Sequence, residues 1–305
     1  MINKQPFDNA AFDIENALSM FAYNYCAIPA ESIYDKEQLA PIMEVIETCH
    51  IYLIGRTPIV EFIDAKQSDS ILNLDFLIAE EQHALTYQLP DRLTLREKNG
   101  KLYLEDSDGR CSWPNAMEMQ SMLSYQSGKV NFEVLYIGQA YGQDGSRNAV
   151  DRLLKHETLQ KISLKGNPVG YRLSLLLLSI QPNNQLFMTI NPFAKDQSQG
   201  SERIKAGIDK LFNTSEAECI SLYEAALIRY FYPEFNKEFK DSFPSTNLKV
   251  LQDCYAKDFC SVSAEICIDG LPYRLYSKSV KPAWHHTAMH DLHKESGRKM
   301  FFGFA

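Results

Sequence analysis

Four polar residues in the middle of the chain have types and spacings that could support catalysis. Tyr136 lies in the apolar run 132–138, which is typical of a strand. Arg152 and His156 are four positions apart on a predicted helix, so both side chains would point from one face. Glu224 lies beside an apolar stripe on a later predicted helix, where an unpaired carboxylate is unfavourable. A metal ion is one partner that would compensate for this burial, because carboxylates bind hard cations.

Taken in chain order, these residues resemble the GIY-YIG nuclease superfamily. In that family a Tyr-Ile-Gly strand leads to a helix with an arginine and, in some members, a histidine one turn later. A later helix supplies a metal-binding glutamate, and an asparagine follows. Here the strand carries Tyr136-Ile137-Gly138, while Asn236 lies beyond the helix of Glu224 and just past Pro233. The resemblance covers residues 120–245 and implies a small mixed sheet flanked by helices.

The resemblance also implies metal-dependent cleavage of nucleic acid and a role for each site residue. Glu224 would hold one Mg²⁺ or Mn²⁺ ion. Arg152 would bind the scissile phosphate through its planar guanidinium group. Tyr136, together with Tyr125 or His156, would orient or deprotonate the attacking water.

Two further residues are expected to contact the substrate. Asn236 would brace the site rather than react, and it would lie against the bound nucleic acid. Lys155, next to His156, would add a cation for the phosphate backbone.

The chain departs from the family pattern at the first motif, because the sequence Gly-Ile-Tyr is absent. The family places this first tyrosine on the strand before the Tyr-Ile-Gly motif. Tyr125 lies at the corresponding offset before Tyr136, and we therefore expect it to replace the missing tyrosine. The similar run from Tyr52 to Gly55 lacks a downstream helix arginine, so we interpret it as an ordinary strand. The long loop between Gly138 and Arg152 either shapes the substrate entrance or is an insertion.

Charge is distributed unevenly along the chain, whose formal net charge is −8. Residues 1–130 contain 10 Lys and Arg against 20 Asp and Glu, a net −10. Residues 131–245 contain 13 of each, and residues 246–305 contain 8 against 6, a net +2. Nucleic acid should therefore approach the middle and C-terminal parts. We expect an α+β fold with an acidic α+β domain over 1–112, a nuclease-like domain over 118–245 and a C-terminal β-hairpin extension over 246–305.

These observations favour a metal-dependent endonuclease that hydrolyses phosphodiester bonds, with DNA preferred over RNA and a role in phage defence or a mobile element. The alternative is a GIY-YIG module that has lost catalysis and binds nucleic acid or a protein partner. The missing motif and the modest charge favour this alternative.

Partners and location follow from the same composition. The acidic N-terminal domain is a candidate surface for a protein partner, and duplex cleavage would require a homodimer if each subunit has one site. No apolar run approaches the ~20 residues of a membrane-spanning helix, and the N-terminus has no secretory signal. We therefore expect a cytoplasmic protein without membrane contact.

Hydrophobic periodicity and turn signals predict further elements. Helices are expected at 11–24, 36–48, 201–212 and 215–231. Strands are expected at 51–54, 59–63, 71–78, 93–95, 102–104, 171–180, 185–190, 262–268 and 272–276. Asn99-Gly100 and Asp269-Gly270 indicate hairpins, a Pro182-Asn183-Asn184 turn joins two strands, and Ser146 and Thr214 are candidate helix caps.

The C-terminal tail is rich in histidine, and we expect a polar surface that contacts nucleic acid there rather than a second metal site. Three of its histidines would share one face if the tail were helical: His286, His290 and His293. The seven cysteines are scattered without a Cys-x-x-Cys pair, which indicates reduced thiols in apolar cores rather than a zinc site.

Overall fold

A computed structural model of the chain describes residues 10–142, 148–181, 184–244 and 248–299. The fold is α+β, as the sequence predicts, with one large mixed sheet, two small sheets and helices on both faces of the large sheet. The expected loop at Gln143-Asp144-Gly145, the Ser146 cap and most of the predicted 182–184 turn lie outside the described residues.

The elements are numbered in chain order. The strands are β1 Ile14–Pro29, β2 Ile51–Pro58, β3 Val60–Ser68, β4 Ile71–Ile78, β5 Glu81–Gln88, β6 Thr94–Lys98, β7 Lys101–Glu105, β8 Cys111–Ser112, β9 Asn131–Gln139, β10 Tyr171–Ile180, β11 Gln185–Ile190, β12 Ser261–Cys267, β13 Arg274–Tyr276 and β14 His285–Asp291. The α-helices are α1 Lys36–Leu39, α2 Met43–Thr48, α3 Ala116–Ser127, α4 Ala149–Leu153, α5 Glu157–Lys165, α6 Gly200–Phe212, α7 Glu216–Phe231 and α8 Lys249–Ala256. Short 3₁₀ helices occupy Ala30–Tyr34, Ala40–Ile42 and Ser296–Arg298.

The large sheet has the strand order β13-β9-β2-β10-β1-β12-β14, and β11 also pairs with β1. Strand β2 lies between β9 and β10 and is antiparallel to both. Strand β1 is antiparallel to β10 and β11 but parallel to β12. The predicted domain boundaries at residues 112 and 245 therefore cut through one sheet, because β1, β2 and β12 belong to it.

The prediction of a helix over residues 11–24 is wrong, since this segment forms most of β1. Residues 14–20 are all buried, whichever face of the sheet they point to. Because both faces are covered, the buried polar residues Glu15, Asn16 and Ser19 lie among the apolar ones without the alternation of a half-buried strand, and periodicity alone does not distinguish such a segment from a helix.

Residues 59–130 form a module that is inserted between β2 and β9. It consists of the small sheets β3-β4-β5 and β6-β7-β8 and of α3, which share an apolar core that includes Leu74, Leu85 and Leu123. The Asn99-Gly100 hairpin is confirmed, and both residues have positive φ, as a type I′ turn requires.

The C-terminal segment differs from the predicted hairpin. Strand β12 pairs with β14, while β13 pairs in parallel with β9 at the other end of the sheet. The histidines do not share a helical face, because His286 and His290 lie on β14 and are both held by carbonyl oxygens, while His293 follows this strand and pairs with Asp258. None of the helices in the described residues is long and apolar enough to cross a membrane.

Helix α7 packs across β9, β12 and β14 and so defines one face of the large sheet. Its cap is Ser215 rather than the predicted Thr214, because the Ser215 hydroxyl accepts the Glu218 backbone N–H and the Glu218 carboxylate accepts the Ser215 N–H. Helices α1, α2, α4 and α5 pack on the opposite face. The predicted helical segments over 36–48, 201–212 and 215–231 are confirmed.

Candidate active site

Two tyrosines meet where β2 and β9 run side by side. The register places Tyr52 opposite Gly138, and the rings of Tyr52 and Tyr136 stack with their centroids 6.2 Å apart. A Cβ atom at position 138 would lie 2.5 Å from the Tyr52 hydroxyl oxygen. Only glycine can occupy this position without displacing the Tyr52 ring, so the glycine of the Tyr-Ile-Gly motif makes room for the second tyrosine.

Tyr52 therefore stands where the predicted first tyrosine was expected. Tyr125, the residue selected from the sequence, lies on helix α3 and is 78% exposed. It does not line the cavity described below, and its selection is corrected by the structure. The sequence prediction placed the first tyrosine a short distance before Tyr136 in the chain. Strand β2, which pairs with β9, instead lies before the inserted residues 59–130. The run Tyr52–Gly55, which the sequence analysis interpreted as an ordinary strand, supplies the tyrosine that lies beside Tyr136.

The predicted helix with Arg152 and His156 on one face is interrupted. Arg152 lies on α4, whereas His156 is the N-cap of α5, where its Nδ1 accepts the Leu159 backbone N–H at 3.2 Å. A side chain that caps a new helix satisfies backbone donors that a continuous helix would satisfy internally.

The imidazole of His156 is buried and packs edge-on against Tyr52, with ring centroids 5.4 Å apart, and at a tilt against Tyr136, at 5.1 Å. Burial, aided by the charge of Arg152, lowers the pKa of His156 to about 4. The ring is therefore neutral at physiological pH, with its proton on Nε2, and Nδ1 is not available as a base.

A chain of two hydrogen bonds links Arg152 to Tyr52 and Tyr52 to Tyr136. Its guanidinium donates to the Tyr52 hydroxyl, and Tyr52 in turn donates to Tyr136. Burial raises the pKa of both phenols, so both remain protonated at neutral pH. The proton of Tyr136 is then free to point into the cavity.

Glu224 approaches from the other face of the sheet, on α7, and is 9% exposed. The carboxylate accepts the backbone N–H of Gln139 at the end of β9. Burial raises the pKa of Glu224 to about 8, and the nearby charge of Glu238 adds to this rise, while Arg152 opposes it. Among the described residues, no cationic side chain lies within ion-pair distance of Glu224.

Asn236 braces the strand that carries the motif. Its Oδ1 accepts the Ile137 backbone N–H at 2.9 Å, and its Nδ2 donates to the Ile137 carbonyl at 2.8 Å. The Phe235 backbone N–H donates to the Leu135 carbonyl at 3.0 Å. Asn236 thus holds strand β9 through its side chain, and both ends of the amide are occupied by backbone.

These groups surround one cavity of about 560 Å³. It receives Arg152 and part of α5 from one face of the sheet and Glu224 from the other, and Asn236 lines it as well. The lining residues are Tyr52, Tyr136, Gln139, Arg152, Glu157, Thr158, Lys161, Glu224, Ile228, Phe235, Asn236, Lys237, Glu238 and Phe239. The predicted substrate-binding residue Lys155 is exposed between α4 and α5 and is not in the lining.

Sequence reasoning missed four charged side chains of this cavity besides Tyr52. Lys161 lies one turn beyond Glu157 on α5, and Lys237 and Glu238 directly follow Asn236. Their spacing to the motif residues carries no sequence signal, because the fold alone brings α5 next to the segment after α7.

The described part of the chain contains no group of three or more His, Cys, Asp or Glu side chains arranged to hold a metal ion. Comparison of the chain with protein-family models, with curated proteins and with solved structures gave no match. The geometry of the cavity is therefore the basis for assigning a function to this protein.

Proposed function

We propose that this protein is a metal-dependent endonuclease of the GIY-YIG type that hydrolyses phosphodiester bonds, with DNA favoured as the substrate. One observation carries the proposal: Tyr52, Tyr136, Arg152 and Glu224 come from distant parts of the chain and line one cavity. These residues also interact with one another through hydrogen bonds and charges, and the pKa values of Tyr52, Tyr136 and Glu224 are all raised. Perturbed pKa values of this kind cluster at functional sites.

The residues fit a single Mg²⁺ or Mn²⁺ ion. Glu224 is a buried carboxylate without a described cationic partner, and Glu238 nearby disfavours its charge. Mg²⁺ is commonly bound through one or two carboxylates and several waters, so it does not require a cluster of three protein ligands. When bound at Glu224, the ion would neutralise charge on the phosphate oxygens.

The remaining chemistry follows from the side chains. Arg152 would bind a non-bridging oxygen of the scissile phosphate, because its fork presents several donors at once. Tyr136 would orient the attacking water through its free hydroxyl proton and lone pairs, since its raised pKa keeps the phenol neutral. Tyr52 would hold both Arg152 and Tyr136 in place through its two hydrogen bonds.

Proton transfer requires an acceptor, and His156 does not supply one because its Nδ1 already accepts a backbone N–H. Glu238 is an exposed carboxylate in the cavity wall and would take the proton from the attacking water. The new bond forms between the water oxygen and phosphorus, the ester P–O bond breaks, and the leaving oxygen takes up a proton from solvent.

The first test is a cleavage assay on labelled single-stranded DNA, duplex DNA and RNA with Mg²⁺, Mn²⁺ or EDTA. We expect cutting that requires metal and that Glu224→Ala abolishes while its circular dichroism spectrum stays unchanged. Tyr125→Phe is the matched control and should cut as well as the wild type. Undiminished cleavage by Glu224→Ala would contradict the proposal.

A second candidate function is a catalytically inactive module that binds nucleic acid or a protein partner. Three carboxylates, Glu157, Glu224 and Glu238, line the cavity beside its cations, which favours weak phosphate binding without a metal. Binding in EDTA without cleavage under any metal condition would support this function. The acidic N-terminal part over 1–112 is then the proposed surface for a partner, and the proposed homodimer would show in the mass measured by light scattering.

A further inference from the structure

Two lysines in the cavity wall have no ion-pair partner within the part of the chain that the structure describes. Lys161 lies on α5 and Lys237 lies on the segment after α7, and both side chains are exposed. Among the described residues, no carboxylate lies within ion-pair distance of either amine. By contrast Lys165, one turn along α5 from Lys161, pairs with Glu234 at 2.5 Å.

The two elements that carry these lysines are tied to each other and to the catalytic strand. The Lys165–Glu234 ion pair joins α5 to the segment after α7. Glu234 also pairs with Lys278 at 2.8 Å, and the Asn236 amide holds this segment against Ile137. Lys161 and Lys237 therefore project from elements whose positions are fixed relative to Tyr136.

Three cationic side chains line the cavity, Arg152, Lys161 and Lys237, together with the carboxyl groups of Glu157, Glu224 and Glu238. Arg152 is one of these cations and donates a hydrogen bond to Tyr52. Two further unpaired amines from different elements suit a ligand whose negative charges are spaced along a chain. A nucleic-acid strand has this property, because each nucleotide adds one phosphate.

We propose that Lys161 and Lys237 bind the phosphates on either side of the scissile phosphate. The cavity then accepts a DNA strand that runs between α5 and the segment after α7, rather than a mononucleotide or a small diester. Arg152 holds the scissile position, a part of the assignment that rests on the proposed function. Phosphate contacts of this kind position a strand without selecting its sequence.

The first experiment measures binding alone, so it needs no catalysis. The full-length chain in EDTA is titrated into fluorescent single-stranded DNA of about 12 nucleotides, at KCl concentrations between about 50 and 300 mM, and the Kd is read from anisotropy. Each lost phosphate contact should reduce the slope of log Kd against log salt by about 0.7. Lys161→Gln and Lys237→Gln should each show this reduction.

Lys205→Gln is the matched control. It removes the same charge from an exposed lysine on α6 that does not line the cavity. Its slope should equal that of the wild type. If Lys161→Gln and Lys237→Gln give the same slope as Lys205→Gln, or if the wild type does not bind the strand, the proposal is overturned.

The second experiment compares substrates of different length. The chromogenic diester bis(p-nitrophenyl) phosphate has one phosphate, so it cannot contact flanking subsites. Lys161→Gln and Lys237→Gln should lower kcat/KM on the oligonucleotide by about tenfold each and leave the small diester unaffected. An equal loss on both substrates would contradict the assignment. If the wild type cleaves neither, the proposed nuclease function fails, and the binding experiment still decides the role of the lysines.

Discussion

Two buried glutamates of this protein differ in whether neighbouring cations pair with them. Glu15 on β1 is 3% exposed and forms ion pairs with Arg203 at 2.8 Å and with Arg298 at 2.6 Å. Glu224 on α7 is 9% exposed, yet among the described residues no cation lies within ion-pair distance. The neighbouring charge with the largest effect on its pKa is that of Glu238, another carboxylate.

Burial raises the pKa of both carboxyls, but the remaining contributions differ. At Glu15 the two arginines oppose the rise and Asp258 adds to it. At Glu224 the like charge of Glu238 adds to the rise, and the Gln139 N–H and the more weakly acting Arg152 oppose it. A buried charge that the protein compensates internally serves the fold, while a buried charge that it leaves uncompensated favours a ligand. The contrast between the two sites is therefore the strongest physical indication of where this protein binds something.

The largest expected effect is a difference in unfolding free energy between variants of the two glutamates. Glu15→Gln should lower the free energy of unfolding by about 3–5 kcal/mol, because Arg203 and Arg298 would lose a buried partner. Glu224→Gln should not destabilise, because glutamine is neutral in both the folded and the unfolded chain, so the cost of keeping a buried carboxyl protonated at neutral pH disappears, and it still accepts the Gln139 N–H. Urea denaturation at neutral pH measures both values. An equal loss for the two variants would remove the contrast.

The pH dependence sharpens this prediction. The pKa of Glu224 is raised from 4.5 to about 8, so its contribution to stability is complete below pH 4.5 and is lost as the pH rises towards 8. Glu224→Gln should therefore gain stability over the wild type as pH rises, measured without metal. Saturating Mg²⁺ should restore stability to the wild type at the upper end of this range and have no effect on the variant.

A smaller effect concerns rate. Tyr52→Phe should lower kcat by about 10²-fold, because Arg152 and Tyr136 lose the hydroxyl that links them. Stability should change little, since the ring remains packed between Tyr136 and His156. Single-turnover cleavage with excess enzyme measures this rate. Full activity in Tyr52→Phe would show that Tyr52 only fills space.

The next effect concerns acid stability at the site. The pKa of His156 is lowered from 6.5 to about 4, so its contribution to stability is present above pH 6.5 and is lost as the pH falls towards 4. His156→Asn keeps an N-cap acceptor for Leu159 and removes the titration. The variant should lose about 2 kcal/mol less than the wild type over this window. Identical acid-unfolding curves would contradict a buried neutral histidine.

The smallest expected effect concerns the two hydrogen bonds between the Asn236 side chain and the Ile137 backbone. Asn236→Ala should cost about 1–2 kcal/mol of unfolding free energy, because the Ile137 N–H and carbonyl lose their partners. Lys237→Gln at the adjacent exposed position is the control and should leave stability unchanged. Thermal denaturation of both variants measures the difference. A loss of the same size in Lys237→Gln would show that the segment, rather than the amide, is responsible.

Local sequence signals were sufficient for part of the site. The strand of Tyr136, the helix of Glu224 and the position of Asn236 follow from runs of a few residues each, and the structure places all three at one cavity. The identity of β1 could not be derived in this way, because a strand buried on both faces has no alternation. The break between Arg152 and His156 was equally hidden, since their spacing also suits one helix.

Tyr52 was missed for a different reason. Its contact with Tyr136 depends on the pairing of β2 with β9 across the inserted residues 59–130. Sequence spacing carries no information about such pairing once an insertion of arbitrary length intervenes. The collision that any side chain at Gly138 would make with Tyr52 is visible only in three dimensions.

The position of β2 between β9 and β10 also has a consequence for synthesis of the chain. Tyr52 is made early, but its two neighbouring strands and the helix that carries Glu224 are made much later. A nascent chain that ends before α7 has the phenols without the carboxylate. The complete cavity can therefore form only after residue 239 has left the ribosome, so an unfinished chain could not carry out the proposed cleavage.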